Sequence, residues 1–266
     1  MTTVLHLSDT HLARTGALVS GRLNTHQPLE RMVKRIQRAH TQWGTLDAIL
    51  VTGDISDDGS PESYAQFREL MSPLGVPVYV IPGNHDAREP MRDAFVVDGY
   101  LPTTGHLNWR CHIGELTVVG LDTLVEGQGF GRLSEESLAY LESQLRAARK
   151  RPTLIALHHP PFRTGIAFMD AICLRNRAAF RDVMAHAQGD VRILCGHVHS
   201  LFVSDVGGHL AFSAPSTCSN FELDTRPEAP VGYFDRDDGG VLHRWDGSFT
   251  SVRIGPQPGT GPHPFN

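Results

Sequence analysis

Five short apolar runs in this chain each stop at a cluster of oxygen- or imidazole-bearing side chains. "VLHL" at 4–7 runs into Ser8-Asp9-Thr10-His11, "DAILVT" at 47–52 into Gly53-Asp54, and "VPVYVI" at 76–81 into Pro82-Gly83-Asn84-His85-Asp86. "TLIAL" at 153–157 leads to His158-His159-Pro160-Pro161, and "VRILC" at 191–195 to Gly196-His197-Val198-His199. Most such runs read as central strands buried on both faces; "LTVVGL" at 116–121 and "LAFS" at 210–213 add two more.

Helical patterns lie between them. From Pro28 to Trp43, Leu29, Met32, Val33, Ile36 and Ala39 recur at helical spacing. Ser60-Pro61-Glu62 reads as an N-cap and first-turn proline opening a helix to about Met71; Ser134 opens another with a Leu138, Leu141, Leu145 stripe. Alternating strands and helices predict an α/β architecture over 1–200. Residues 201–254 read as a C-terminal part that completes the fold and caps it or joins copies, with a hairpin turn at Asp238-Gly239-Gly240. Residues 255–266 read as a Pro/Gly-rich tail.

One polar strand end is a turn. Five are a pattern, because ligand sites of open α/β sheets lie beyond the carboxyl ends of the strands. The converging types, Asp, His and Asn without thiolates, suit Mn²⁺, Zn²⁺ or Fe. Asp-x-His and His-x-His place alternate side chains on one side of the chain. Asp9, His11, Asp54, Asn84, His158, His197 and His199 are the candidate ligands, more than one ion needs, so two ions sharing a carboxylate are expected. Two divalent cations against Asp9 and Asp54 leave a net charge of about +2 for a nucleophile and an anionic substrate. A carboxylate at position 84 would halve it, a physical reason for Asn84.

Composition excludes several other classes. The formal net charge of -5 argues against a nucleic-acid polymer as partner. Cys111, Cys173, Cys195 and Cys218 form no C-x-x-C pair, which excludes a zinc ribbon and a dense disulfide framework. No run of about 18 apolar residues occurs, and the early start of the first strand leaves no room for a signal peptide, so a soluble cytoplasmic protein is expected.

"DTH", "GD", "GNHD", "HHPP" and "GHVH", in that order, resemble the calcineurin-like metallophosphoesterase superfamily. The stretches "GSPESYAQFRELMSPLGVPVYVIPGNHD" and "HHPPFRTGIAFMDAICLRN" are similar to bacterial class III cyclic-nucleotide phosphodiesterases and enterobacterial-type glycerophosphodiester phosphodiesterases. The resemblance implies a metallophosphoesterase-type sandwich of two mixed β-sheets flanked by helices. It also implies hydrolysis of a small-molecule phosphodiester by in-line attack of a water activated between two ions, and a homodimer or higher assembly. Carried over, Asp9, His11, Asp54 and His199 bind one ion, and Asp54, Asn84, His158 and His197 the other.

His85 follows a ligand directly and is expected to protonate or stabilise the leaving alkoxide, with Asp86 orienting its ring. His159 reads as either a supporting or a packing residue, His6 as a hydrogen-bonded core residue, and Asp57-Asp58 as a charged turn. Met169-Asp170, Arg175 and Arg177 lie in a 160–177 loop that either borders the substrate or faces solvent. A phosphomonoesterase and a non-catalytic scaffold of the same fold are the alternatives; the full set of ligand types weighs against the scaffold.

Overall fold

The apolar runs assemble into two sheets in a computed structural model that describes residues 1–237 and 239–256. The first has the order β11 (Phe249–Ile254), β10 (Gly240–Trp245), β1 (Thr2–Leu7), β2 (Ala48–Val51), β3 (Val78–Val80). The second runs β4 (Trp109–Ile113), β5 (Leu116–Gly120), β6 (Thr153–Ala156), β7 (Val191–Cys195), β9 (His209–Ser213), β8 (Val203–Val206). The pairs β1–β2, β2–β3, β5–β6, β6–β7 and β7–β9 are parallel, and the pairs β1–β10, β10–β11, β4–β5 and β8–β9 are antiparallel. Both sheets are therefore mixed, and the architecture is α/β.

Continuous apolarity follows from burial on both faces. Val4, Ala48, Leu50, Val118, Leu154 and Leu194 meet between the sheets. The alternate residues Leu5, Leu7, Ile49 and Val51 pack outward beneath α1 (His26–Trp43), α2 (Pro61–Met71) and α3 (Arg88–Phe95). Val119, Ile155 and Ile193 do the same beneath α4 (Glu135–Ala148) and α6 (Arg177–Met184), with α5 (Ala167–Ala171) in the loop between. Each such side chain contributes roughly 1.5–3 kcal/mol on burial.

The helix starts are set by side-chain caps. Ser60 Oγ accepts from Ser63 N at 3.3 Å with Pro61 in the first turn, and Ser134 Oγ accepts from Ser137 N at 3.0 Å. Each cap satisfies an amide that the helix cannot, worth about 1 kcal/mol.

Three details differ from expectation. Gly240 opens β10, and the hairpin turn falls at Asp246-Gly247-Ser248 instead. The expected turn began at Asp238, which lies outside the described residues, as do 257–266 of the expected tail. β4 and β8 were not anticipated; both are edge strands with mixed polar and apolar residues, so neither carries the doubly buried signature. Residues beyond 201 supply β8 and β9 to one sheet and β10 and β11 to the other.

Candidate metal centre

The loops leaving β1, β2, β3, β6 and β7 meet at one end of the sandwich, and all seven candidate ligands come together there. His11 Nε2 lies 3.7 Å from Asp54 Oδ2 and 4.0 Å from Asp9 Oδ1, while His199 Nε2 lies 3.4 Å from Asp9 Oδ1. On the other side of Asp54, His158 Nε2 lies 3.2 Å from the same Oδ2 and 3.2 Å from Asn84 Oδ1. The His197 ring stands 5.1 Å from that of His158. One carboxylate oxygen thus faces imidazoles on both sides.

The loop ends are bound together by the same carboxylates. Asp54 Oδ1 accepts from His85 N at 2.8 Å, and Asp9 accepts from His197 N at 3.0 and 3.1 Å. His11 N donates to the Asp54 carbonyl at 2.9 Å and Asp9 N to the Gly53 carbonyl at 3.0 Å. These bonds require sharp backbone turns. Among the described residues, positive φ at a non-glycine occurs at seven positions, and five are candidate ligands: Asp9, His11, Asp54, His197 and His199. Left-handed backbone there costs about 1–3 kcal/mol per residue and persists only where the surroundings enforce it.

The residues present fit a pair of metal ions. His11 Nε2 and His199 Nε2 approach to 3.1 Å, two nitrogens that a cation between them would satisfy together. The buried His197 Nε2 has no hydrogen-bond partner among the described residues, although a buried polar atom is seldom left unpaired. Asp9, His11 and His199 form one close group of donors and Asp9, Asp54 and His158 another. Oxygen and imidazole donors without sulfur suit Mn²⁺, Fe or Zn²⁺.

The electrostatics agree. Burial opposes ionisation of Asp9 and Asp54, yet the facing imidazoles, His199 for Asp9 and His158 for Asp54, hold both carboxyls below their usual range. Burial also opposes charge on His158 and His11, but Asp54 raises His158 to about 9 and the Asp57 hydrogen bond, with Asp54 and Asp9, raises His11 to about 8. Burial and the neighbouring imidazoles of His159 and His158 push His197 well below its ordinary value. Concentrated negative charge drawing protons onto imidazoles is an environment that a cation would replace.

Supporting contacts fix the rings. His158 Nδ1 meets the Thr52 carbonyl at 2.7 Å, His199 Nδ1 meets Ser219 Oγ at 2.9 Å, and His11 Nδ1 meets Asp57 Oδ1 at 3.1 Å. Such partners set the tautomer and aim of a ligand imidazole. The His159 nitrogens face Thr123 Oγ1 at 2.8 Å and the Gly129 carbonyl at 3.3 Å, and its ring also packs 4.7 Å from that of His197, with which and His158 it forms a further close group of donors. His6 is buried, its Nε2 2.9 Å from Thr52 Oγ1.

The expected pairing of Asp86 with His85 is corrected. The Asp86 carboxylate turns inward and accepts from Gly83 N (2.8 Å), Ser56 N (3.0 Å), Ile55 N (3.3 Å) and Tyr64 Oη (3.0 Å). It braces the two loops carrying Asp54 and Asn84, and burial together with the Asp54 charge raises its pKa to about 6. His85 leans on Asp57 instead, with Nδ1 3.4 Å from Asp57 Oδ1 and 3.2 Å from its carbonyl. The "DD" pair is thus divided: Asp57 serves two histidines, while Asp58 accepts from Ser60 N and Ser63 Oγ at the start of α2. A carboxylate three residues beyond Asp54 was the available signal for Asp57.

A cavity of about 210 Å³ opens over this cluster, lined by His11, Asp54, Asn84, His85, His197 and His199 on the polar side. Arg175 and Arg177 do not line it. Arg175 stacks on Phe130 at 4.3 Å, and the Arg177 guanidinium is turned toward Cys173 Sγ. No described helix is long and apolar enough to cross a membrane.

The molecule is thus a sandwich of two mixed sheets with hard and borderline donors that could hold metal ions gathered at its strand ends. The calcineurin-like phosphoesterase family profile matches residues 2–201, and on that match the chain belongs to the calcineurin-like phosphoesterase family. A protein of Arcobacter nitrofigilis named as a probable glycerophosphodiester phosphodiesterase, GpdQ, is 31% identical over 91% of this chain and 88% of its own. The Pseudomonas aeruginosa 3′,5′-cyclic adenosine monophosphate phosphodiesterase CpdA is 37% identical over 82% of this chain and 77% of its own. Among solved structures, a dimetal phosphatase from Danio rerio shares the fold with a TM-score of 0.66 at 14% identity, covering 95% of this chain and 98% of that one.

Proposed function

We propose that this chain is a dinuclear-metal-dependent hydrolase of small-molecule phosphodiesters, with 3′,5′-cyclic nucleotides or glycerophosphodiesters as substrates. The observation that carries the reading is the Asp54 carboxylate, whose Oδ2 lies within 3.7 Å of imidazole nitrogens on two sides. Asp9, His11, Asp54 and His199 would hold one ion, and Asp54, Asn84, His158 and His197 the other, with Mn²⁺, Fe²⁺/Fe³⁺ or Zn²⁺ each compatible with the donors. The ions would supply an activated water and positive charge for the phosphoryl oxygens.

The chain's own side chains do the rest. Asn84 contributes a neutral oxygen and so preserves positive charge for the substrate. His85 is half-exposed at the cavity rim; anchored at Nδ1 by Asp57, its ring would protonate or stabilise the leaving alkoxide. Among the described residues no lysine or arginine lines the cavity, which suits a singly charged diester better than a dianionic monoester. The reading extends to a cytoplasmic enzyme assembled as a homodimer or higher oligomer through its C-terminal part.

The test is chelation and reconstitution with Mn²⁺, Fe²⁺ or Zn²⁺, followed by assay on bis(p-nitrophenyl) phosphate and on a panel of 3′,5′-cyclic AMP, 2′,3′-cyclic nucleotides and glycerophosphodiesters. Metal-dependent release of alcohol or nucleotide is expected. Absence of metal-dependent hydrolysis across the panel refutes the reading.

A further inference from the structure

The cavity over the metal candidates has a second wall that the hydrolytic reading does not use. Besides the polar residues its lining includes Leu23, Phe168, Met169, Ile172, Phe221 and Tyr233. These come from three separate segments. Leu23 sits in a tight turn where Val19 N donates to the Leu23 carbonyl at 3.0 Å; Phe168 and Met169 ride on α5; Phe221 and Tyr233 come from the stretch before β10. A ring contact joins α5 to the segment that carries Phe221. Phe168 meets Phe221 edge-to-face at 5.3 Å and 89°, and Phe221 lies flat on His199 at 4.5 Å and 28°.

Phe221 therefore links the phosphate end of the cavity directly to its apolar end. A group esterified to a phosphate held over His11, Asp54 and His199 would have Phe221 beside it. A glyceryl group brings hydroxyls, and burying a hydroxyl without a partner costs about 1–3 kcal/mol in protein contexts. The hydroxyls of the lining are those of Ser20, Ser219 and Tyr233, with Ser219 Oγ engaged by His199 Nδ1, and the Phe168, Met169, Ile172 and Phe221 side chains offer a glyceryl hydroxyl no partner. A flat aromatic group needs no such partners at its faces. Stacking of a base on an aromatic side chain is worth about 1–3 kcal/mol.

From this we infer that the Phe168–Phe221–Tyr233 wall is the receptor for a flat aromatic substituent of the diester, and that it selects nucleoside-type diesters over glyceryl ones. The inference rests on the phosphodiesterase reading and names the substrate class of that same site. A nucleobase and a synthetic aryl group share the recognised chemistry, and the assay separates them.

The experiment compares wild type, Phe168→Ala and Tyr233→Ala, each reconstituted with Mn²⁺, on 3′,5′-cyclic AMP, bis(p-nitrophenyl) phosphate and glycerophosphoglycerol. Phe168 touches no candidate ligand in the ring contacts above, and metal content and thermal melting are measured on each variant to register any structural damage. Wild type is expected to favour cyclic AMP over glycerophosphoglycerol in kcat/KM. In each variant that ratio should fall about tenfold, mainly through KM for the aromatic substrate. A fall confined to bis(p-nitrophenyl) phosphate restricts the wall to aryl groups and overturns its assignment to nucleoside substrates. A wild-type preference for glycerophosphoglycerol, or a ratio unchanged in both variants, overturns the inference while metal-dependent hydrolysis leaves the phosphodiesterase reading standing. Loss of hydrolysis of all three substrates by reconstituted wild type overturns both.

Discussion

Replacing Gly83 by alanine tests whether the position of Asp54 is held from the neighbouring loop. A Cβ at Gly83 would lie 2.2 Å from Asp54 Oδ1, 2.4 Å from Asp54 N and 2.8 Å from Asp54 Cγ. Carbon contacts are optimal near 3.5–4.0 Å, so the overlap exceeds an ångström and involves backbone that cannot swing aside. Gly83 does not have a positive φ, so alanine suffers no conformational penalty of its own and gains about 0.4–1 kcal/mol from a less flexible unfolded chain. Overpacking costs about 1–3 kcal/mol, leaving a net loss of roughly 1–2 kcal/mol. For a chain of this size that lowers Tm by about 2–8 °C.

The effect on chemistry should be larger than the effect on stability. Relief of the overlap displaces the carboxylate that faces both halves of the centre, and a shift near 1 Å can cost about 10²-fold in rate. Metal stoichiometry by plasma mass spectrometry, thermal melting, and kcat/KM on bis(p-nitrophenyl) phosphate measure the three consequences separately. Gly232→Ala is the control, because nothing lies within 4 Å of its added carbon. Gly83→Ala protein with wild-type Tm, full metal content and kcat/KM within threefold of wild type would refute the reasoning.

Three further outcomes are expected. Asp57→Asn should weaken metal binding and lower kcat, each by about 10–100-fold, because one carboxylate braces both His11 and His85; His85→Ala should lower kcat with metal affinity retained, as metal titrations on the two variants will show. Asn84→Asp should keep its metals while kcat/KM on an anionic diester falls about tenfold; an unchanged rate contradicts the charge argument. Asp122 is buried, yet the His106 imidazole, with Nδ1 3.6 Å from Oδ2, and the hydrogen bonds from Arg88 hold its carboxyl below the ordinary 3.8. A depressed folded value means stability present above 3.8 and lost as pH falls through the folded value. Asp122→Asn should therefore cost roughly 3 kcal/mol in urea unfolding at pH 7, with the gap to wild type narrowing as pH falls below 3.8; a gap independent of pH contradicts the assignment.

Much of the fold was legible because doubly buried strands leave continuous apolar runs, and the α2 and α4 starts because Ser60 and Ser134 act locally. The edge strands were not. Arg110 and His112 on β4, and Ser204 and Asp205 on β8, face partial exposure, so no period distinguishes them from loop. The gathering of the seven donor positions was readable from strand ends alone, since topology brings strand ends together whatever lies between. Side-chain direction was not readable. Asp86 follows His85 in sequence but points into the protein, where four donors hold its oxygens. Ser219, Phe221 and Tyr233 left no sequence signal, since they reach the cavity from an irregular segment that only the tertiary structure folds over it.

The place of β1 in its sheet has a consequence for how the molecule is made. β1 lies between β2 and β10, with Thr2 opposite Trp245 and His6 opposite Val241. One edge of this apolar strand thus stays unpaired until the chain has been synthesised through the hairpin at 240–254. Asp9 waits as well, since Ser216 Oγ, which donates to its carbonyl at 2.7 Å, also arrives late. A nascent chain can therefore collapse its helices early but cannot set its first candidate ligand until the end. During that interval the open edge of β1 is the surface most exposed to mispairing with another chain.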